Sequence, residues 1–219
     1  MKRGSLKNLP IKPPPLVLED KTFWEKRLWG EGFRFVAGLD EAGRGSWAGP
    51  VVAAAVVLYP HTDIPGVDDS KKLNPQKREK LFEIICRDAA GFGIGVVASE
   101  IIDEVNIHQA TLLAMRQALE KLSVQAEYLL VDGNRGIGVN IPQRLLVGGD
   151  GQSASIGAAS ILAKVTRDRL MTEMESTYPL FRFSKHKGYG TKEHLEEIRR
   201  HGPLAIHRMS FEPIRSLKS

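Results

Sequence analysis

The 219-residue chain contains a single cysteine, Cys86, so no intramolecular disulfide and no cysteine-based zinc site can form. Cys86 lies among Leu81, Phe82, Ile84 and Ile85, which predicts a packed core thiol. Long apolar runs are missing as well. The longest, Gly49 to Tyr59, falls short of the roughly 20 residues a membrane helix needs and reads as a buried strand. The first twenty residues lack the continuous apolar stretch and small-residue cleavage site of a secretory signal, which points to a cytoplasmic protein with no membrane partner. No Walker phosphate loop, Gly-x-Ser-x-Gly elbow or zinc-protease histidine spacing occurs, so those enzyme classes lose most of their support.

What remains is a chain with 42% hydrophobic residues and a formal charge of +5. That is enough apolar material to bury one domain's core, and the positive balance suits a polyanionic partner without identifying one. The first twenty residues hold Pro10 and the run Pro13 to Pro15, a stiff and solvated tail. A short helix over Phe23 to Gly30 then lays Phe23, Trp24 and Leu28 on the body.

Regular alternation follows. Strands are expected at Phe33 to Leu39 and Val51 to Leu58, joined as a hairpin by a glycine-rich loop. A helix over Gln76 to Ala90 has Pro75 near its start, Asn74 as cap and Gly91 as stop. A strand at Phe92 to Ala98, a helix at Asn106 to Leu122 and a strand at Tyr128 to Val131 come next. A brief strand at Leu145 to Val147 and a long helix from Ser153 to Glu175 follow, and a last helix, Lys192 to Arg200, is stopped by Gly202 and Pro203. Strands first, then strands alternating with helices, predict an α/β fold with a mixed sheet.

Ligands in α/β sheets gather beyond the carboxyl ends of strands. Asp40, Asp132 and Asp150 all stand where an apolar strand stops. Any one of them alone could simply start a turn. Together, and with Glu41 beside them, they would repel one another and raise their own pKa values unless a cation lay between them. Oxygen-only donors favour a hard ion, Mg²⁺ or Mn²⁺, over zinc. Because strand neighbours face opposite ways, Asp40 and Glu41 require the chain to turn there before both serve one site.

Gly43, Arg44 and Gly45 offer a backbone open to close approach and a guanidinium suited to phosphate, although a plain hairpin loop explains them equally well. Lys71 and Lys72 read either as a contact to a bound strand or as solvated surface. The segment His186 to Thr191 mixes basic groups, glycines and Tyr189, an aromatic suited to stacking on a sugar or base or simply to packing.

Asp40-Glu41-Ala42-Gly43-Arg44-Gly45, Ala48 to Ala54, Asp69-Ser70-Lys71-Lys72-Leu73, Val131 to Asn134, Ala158 to Asp168, His186 to Thr191 and His207 to Pro213 together resemble ribonuclease HII, the prokaryotic type 2 ribonuclease H. The resemblance spans about residues 33 to 214 as a set of ordered motifs. It implies a ribonuclease H-like fold, with a mixed central sheet flanked by helices and a C-terminal helical extension. On this reading residues 1–30 are a tail and residues 31–219 the catalytic domain.

The resemblance further implies an endoribonuclease that cuts the RNA strand of RNA–DNA hybrids, including ribonucleotides embedded in duplex DNA. Two-metal-ion hydrolysis with Mn²⁺ or Mg²⁺ would leave 5′-phosphate and 3′-hydroxyl ends. Asp40, Glu41, Asp132 and Asp150 would hold the metal, with Asp168 as the rival for the fourth place. Asp168 lies inside a helix beside Arg167 and Arg169, neighbours that suggest a surface ion pair. Gly43, Arg44 and Gly45 with Tyr189 would sense the 2′-hydroxyl at an RNA–DNA junction, and Lys71 would touch phosphate. A monomer serving RNA primer removal and ribonucleotide excision repair is implied. Ser46-Trp47 departs from the family, which often has Pro and a smaller apolar residue there, and Trp47 would alter the groove's edge. Two rivals stand beside this: a noncatalytic hybrid-binding protein, disfavoured by four retained acids, and ribonuclease HIII-like specificity, for which too little chain precedes Phe33 to build the extra domain.

Overall fold

A computed structural model of the chain describes residues 20–60, 62, 64, 66, 67 and 73–217. Most of the expected tail, and Lys71 and Lys72 with the polar segment before them, lie outside the described residues.

Helix α1 (Phe23–Gly30) precedes a five-stranded sheet in the order β3-β2-β1-β4-β5. Strands β1 (Val36–Ala42), β2 (Val51–Val57) and β3 (Gly91–Val97) form an antiparallel meander. Strands β4 (Tyr128–Asp132) and β5 (Gln143–Leu146) add in parallel beside β1. The expected hairpin and mixed sheet are both present. Strand β2, Val-Val-Ala-Ala-Ala-Val-Val, is buried along its whole length because helices cover both of its faces, so its sequence shows no alternation.

On one face α3 (Ser99–Glu120) covers Ala37, Leu39, Val51, Ala53 and Ala55. On the other, α4 (Ala154–Thr177) and α2 (Pro75–Asp88) cover Val52, Ala54 and Val56. Helix α2 is capped as expected, with the Asn74 side chain accepting from the Lys77 N–H at 2.8 Å. Cys86 is half-buried at the edge of this layer rather than deep in it, and burial raises its thiol pKa.

Three boundaries differ from expectation. Strand β1 runs over Val36–Ala42 rather than Phe33 to Leu39, so Asp40 and Glu41 lie inside it. Helix α3 starts seven residues before the expected Asn106, which itself has φ 69° and ψ 162° and breaks the helix into two segments. The Asn106 side chain accepts from the Gln109 N–H at 3.1 Å, so it caps the second segment, and periodicity detected that segment alone. Strand β5 comprises Gln143 to Leu146 and leaves Val147 76% exposed. Its pairing is set by the β4 backbone, so its polar first half carries no strand signal.

The chain ends in α5 (Phe183–His186), α6 (Lys192–His201) and α7 (Ile214–Leu217). These pack with the end of α4 around a second small core of Met171, Phe181, Phe183, Ile198 and Ile214, which also takes in Ala48 from the loop after β1.

Candidate active site

Parallel pairing of β1 with β4 stops at Leu39 opposite Val131, so Asp40 and Asp132 follow at one level on adjacent strands. The turn expected between Asp40 and Glu41 is absent. Strand β1 runs on through Ala42, with Asp40 opposite Ala54 and Glu41 opposite Ala53. Both acids nevertheless border one cavity of about 420 Å³, with Asp132, Arg78, Ser160, Lys164 and Tyr189. The acids reach one cavity where β1 runs on past the end of its pairing with β4, not because the chain bends.

Asp40 is buried, and its Oδ1 accepts the Glu41 N–H at 2.7 Å. Burial first, and then the negative charges of Glu41 and Asp132, push its pKa well above the usual carboxylate range; hydrogen bonds from Ser160 and the Glu41 N–H oppose the shift. Asp132 Oδ1 accepts the Gly149 N–H at 2.7 Å, which ties the end of β4 to the 3-10 turn Gly149–Gly151 that carries Asp150. Asp150 is buried, and its Oδ1 accepts the Gly151 N–H at 3.1 Å. It does not line the 420 Å³ cavity.

Asp168 pairs with Lys164 at 2.7 Å, one helical turn away. The expected ion pair exists, but its partner is Lys164. Arg167, taken from sequence as one of its partners, is instead fully buried.

Hard carboxylate oxygens converging on Asp40 fit a divalent cation in their chemistry, since such an ion offsets the burial and the mutual repulsion that together raise the Asp40 pKa. Among the described residues no three His, Cys, Asp or Glu side chains form a closed metal cage. The acid edge therefore fits an open site, in which waters and substrate phosphate complete the shell of a bound ion.

Next to the acids, the glycine loop is held by two buried guanidiniums. Arg167 donates from Nε to Pro50 O at 2.9 Å, from Nη1 to Lys187 O at 3.0 Å and from Nη2 to Ala48 O at 3.1 Å. Arg208 donates from Nη1 to Arg44 O at 2.9 Å and from Nε and Nη2 to Gly49 O at 3.1 and 3.0 Å. Burial lowers the pKa of both, that of Arg208 to about 9 with the nearby Arg167 charge contributing. The Arg44 side chain is half exposed and reaches Glu41 at 3.2 Å. Gly45 stands in open space.

Tyr189 lies at the junction of the acid cavity and a larger open groove of about 780 Å³ that Lys164, Arg169, Lys185 and Lys187 also line. Arg167 and Lys164 lie 5.1 and 5.3 Å from its ring centre. Trp47 is tucked beneath this loop, packed against Gly190, where a Cβ would come within 2.4 Å of the indole. The bulky departure at Trp47 therefore supports the Tyr189 loop from below.

Three histidines fasten that loop further. The Tyr189 carbonyl accepts from His194 Nδ1 at 3.0 Å, and His194 Nε2 meets His207 Nε2 at 3.0 Å. His207 Nδ1 accepts the Leu204 N–H at 2.8 Å, so its proton sits on Nε2 and is donated to His194. His186 Nδ1 accepts the Gly188 N–H at 3.2 Å and its Nε2 faces Glu197 at 3.0 Å. Burial, chiefly, lowers the pKa of His194 to about 3 and of His207 to about 4.

Ser160, Lys164 and Arg167 build the site without being among the residues expected there from sequence. Their spacing along α4 was the available signal: three polar residues at i, i+4 and i+7 on one face of a helix whose first half is otherwise mostly small or apolar. Arg78, from α2, and Arg208 had no comparable pattern.

A family profile described as Ribonuclease HII matches residues 37–214. A Ribonuclease HII of Caldicellulosiruptor bescii is 52% identical over 195 residues, covering 88% of this chain and 95% of its own. One from Thermotoga petrophila is 58% identical over 190 residues, covering 87% and 78%. Among solved structures, the ribonuclease H2 from Pyrococcus horikoshii superposes with a TM-score of 0.71 at 27% identity, over 84% of this chain and 97% of that one.

Proposed function

Because the chain belongs to the ribonuclease HII family of metal-dependent endonucleases, we propose that it cuts the RNA strand of RNA–DNA hybrids and single ribonucleotides embedded in duplex DNA. The observation that carries this reading is the shared cavity of Asp40, Glu41 and Asp132, in which burial and then charge repulsion already disfavour the ionised state of Asp40.

Asp40, Glu41 and Asp132 are the first ligands for Mg²⁺ or Mn²⁺, with Asp150 as the fourth acid, delivered by the turn that Asp132 anchors. When bound, two such ions would supply Lewis-acid activation of water and charge neutralisation at the leaving 3′ oxygen, giving 5′-phosphate and 3′-hydroxyl ends. The chain's own groups orient the substrate. Arg44 and the open backbone at Gly45 border the acids on one side and Tyr189 on the other, a pairing suited to reading a 2′-hydroxyl while a ring stacks on the sugar or base. The lysine-lined groove beyond Tyr189 offers charge to a phosphate backbone. Lys71 remains part of this proposal from sequence only.

The finer reading also makes the protein a cytoplasmic monomer serving primer removal and ribonucleotide excision. Among the described residues no helix is long and apolar enough to cross a membrane. The test is digestion of an end-labelled DNA duplex bearing one ribonucleotide, with the cut mapped and the metal varied. Cutting beside the ribonucleotide only with Mg²⁺ or Mn²⁺ is expected, and cutting of all-DNA duplex at the same rate contradicts the reading.

A further inference from the structure

Glu25 of α1 is 1% exposed, and its Oε1 collects three hydrogen bonds from the start of α4. Ser153 Oγ and Ser155 Oγ each donate at 2.6 Å, and the Ser155 N–H donates at 2.9 Å. Oε2 is also buried and accepts none. A carboxylate carried wholly out of water is costly unless it is paired or hydrogen-bonded. Here the balance comes from hydroxyls, an amide and the positive end of a 24-residue helix.

The contact continues toward the acids. Ser153, held by Glu25, is the N-cap of α4 and accepts the Ile156 N–H at 3.2 Å. Its own N–H donates to Gly149 O at 2.9 Å, and the Gly149 N–H donates to Asp132 Oδ1 at 2.7 Å. Asp150 sits inside this turn. The Ala154 N–H is taken up by Lys21 O at 2.8 Å, so the segment bearing α1 grips α4 at two points. Helix α1 lies outside the residues matched by the family profile.

We propose that Glu25 is a positioning residue for the Asp132 and Asp150 half of the carboxylate edge, acting through Ser153 and the Gly149–Gly151 turn. This rests on the reading of Asp150 as a metal ligand. Groups that orient metal ligands without touching the metal typically change metal affinity or activity by about 10- to 100-fold when removed. A residue that merely stabilised the fold would lower the melting temperature and leave metal affinity in the folded protein unchanged.

The experiment is calorimetric titration with Mn²⁺ alone of the full chain and its Glu25→Ala, Glu25→Gln and Asp150→Asn variants, at a temperature where circular dichroism shows each folded. Cleavage kinetics of a single-ribonucleotide duplex are measured alongside. Glu25→Ala is expected to weaken Mn²⁺ binding about tenfold or more and to lower kcat by a similar factor with KM unchanged. Glu25→Gln, which keeps an acceptor at Oε1 but not the charge, should lie between it and the parent, and it carries the comparison if Glu25→Ala does not fold. Loss of affinity in Asp150→Asn with parental affinity and kcat in the Glu25 variants overturns the inference alone. Parental affinity in all variants overturns the reading of Asp150 as well.

Discussion

Arg167 occupies the space that a side chain at Gly43 would need: a Cβ built there falls 2.0 Å from Arg167 Nε, and Gly43 has φ +95°. The glycine after the acid pair therefore admits a buried guanidinium that braces the loop from behind. Gly45, with open space around it, is the glycine of the pair that leaves room for a ligand.

Gly43→Ala is accordingly expected to destabilise the protein by roughly 3 kcal/mol, combining a strained left-handed backbone with displacement of a hydrogen-bonded buried charge. Urea denaturation measures it. A change under about 0.5 kcal/mol, the range of ordinary surface substitutions, contradicts the account. Gly45→Ala should be far milder in stability and is the internal control.

The histidine chain predicts a pH dependence of known sign. His194 and His207 have native pKa values of about 3 and 4, below the roughly 6.5 of an unfolded histidine. Between those limits the unfolded state binds more protons, so their contribution to stability is complete above about pH 6.5 and falls as the pH drops toward 4. His207→Asn keeps an acceptor for the Leu204 N–H and removes the titrating ring. Its denaturation midpoint should change less than the parent's between pH 7 and pH 4, and parallel profiles would show that His207 titrates normally.

Asp40 carries the opposite sign. Its native pKa lies above the unfolded value, so its ionisation opposes folding as the pH rises through the native pKa. Asp40→Asn should abolish cleavage yet melt no lower than the parent at neutral pH without metal, and at a higher temperature if the amide fits the same hydrogen bonds. A melting temperature several degrees lower in differential scanning calorimetry contradicts that view of the site.

Tyr189 sits over two cations at the mouth of the acid cavity. If its ring stacks on substrate, Tyr189→Ala should lose about 10- to 100-fold in kcat/KM on a single-ribonucleotide duplex, the equivalent of ~1–3 kcal/mol of stacking. Tyr189→Phe retains the ring and should recover most of that loss. Equal losses in both variants would assign the effect to the hydroxyl instead.

Much of the architecture was legible because it is local. The β2 run, the Asn74 cap, the Ser153 start of α4 and the hairpin before Pro50 are all written in contiguous residues. What escaped depends on partners distant in sequence. Asp40 and Glu41 serve one cavity without a turn because β4 arrives beside β1 and stops pairing at Leu39. Arg167 reads as a surface charge until Pro50, Ala48 and Lys187 turn three carbonyls toward it. Trp47, a departure when read along the chain, is accounted for by the bare backbone of Gly190 beneath which it packs. Asp150 was legible only as an acid between glycines, and its tether to Asp132 through Gly149 required the fold.

The claim that the carboxylate edge is a metal-dependent nuclease centre is tested most directly by pure Asp132→Asn protein on a duplex carrying one ribonucleotide, with Mn²⁺ or Mg²⁺ present. The asparagine oxygen can still accept the Gly149 N–H, so the fold should persist while the anionic ligand is lost. The account predicts a folded protein with no detectable cut and a parent that EDTA silences completely. Cleavage by Asp132→Asn at the parental rate, or by the parent in EDTA, would contradict it.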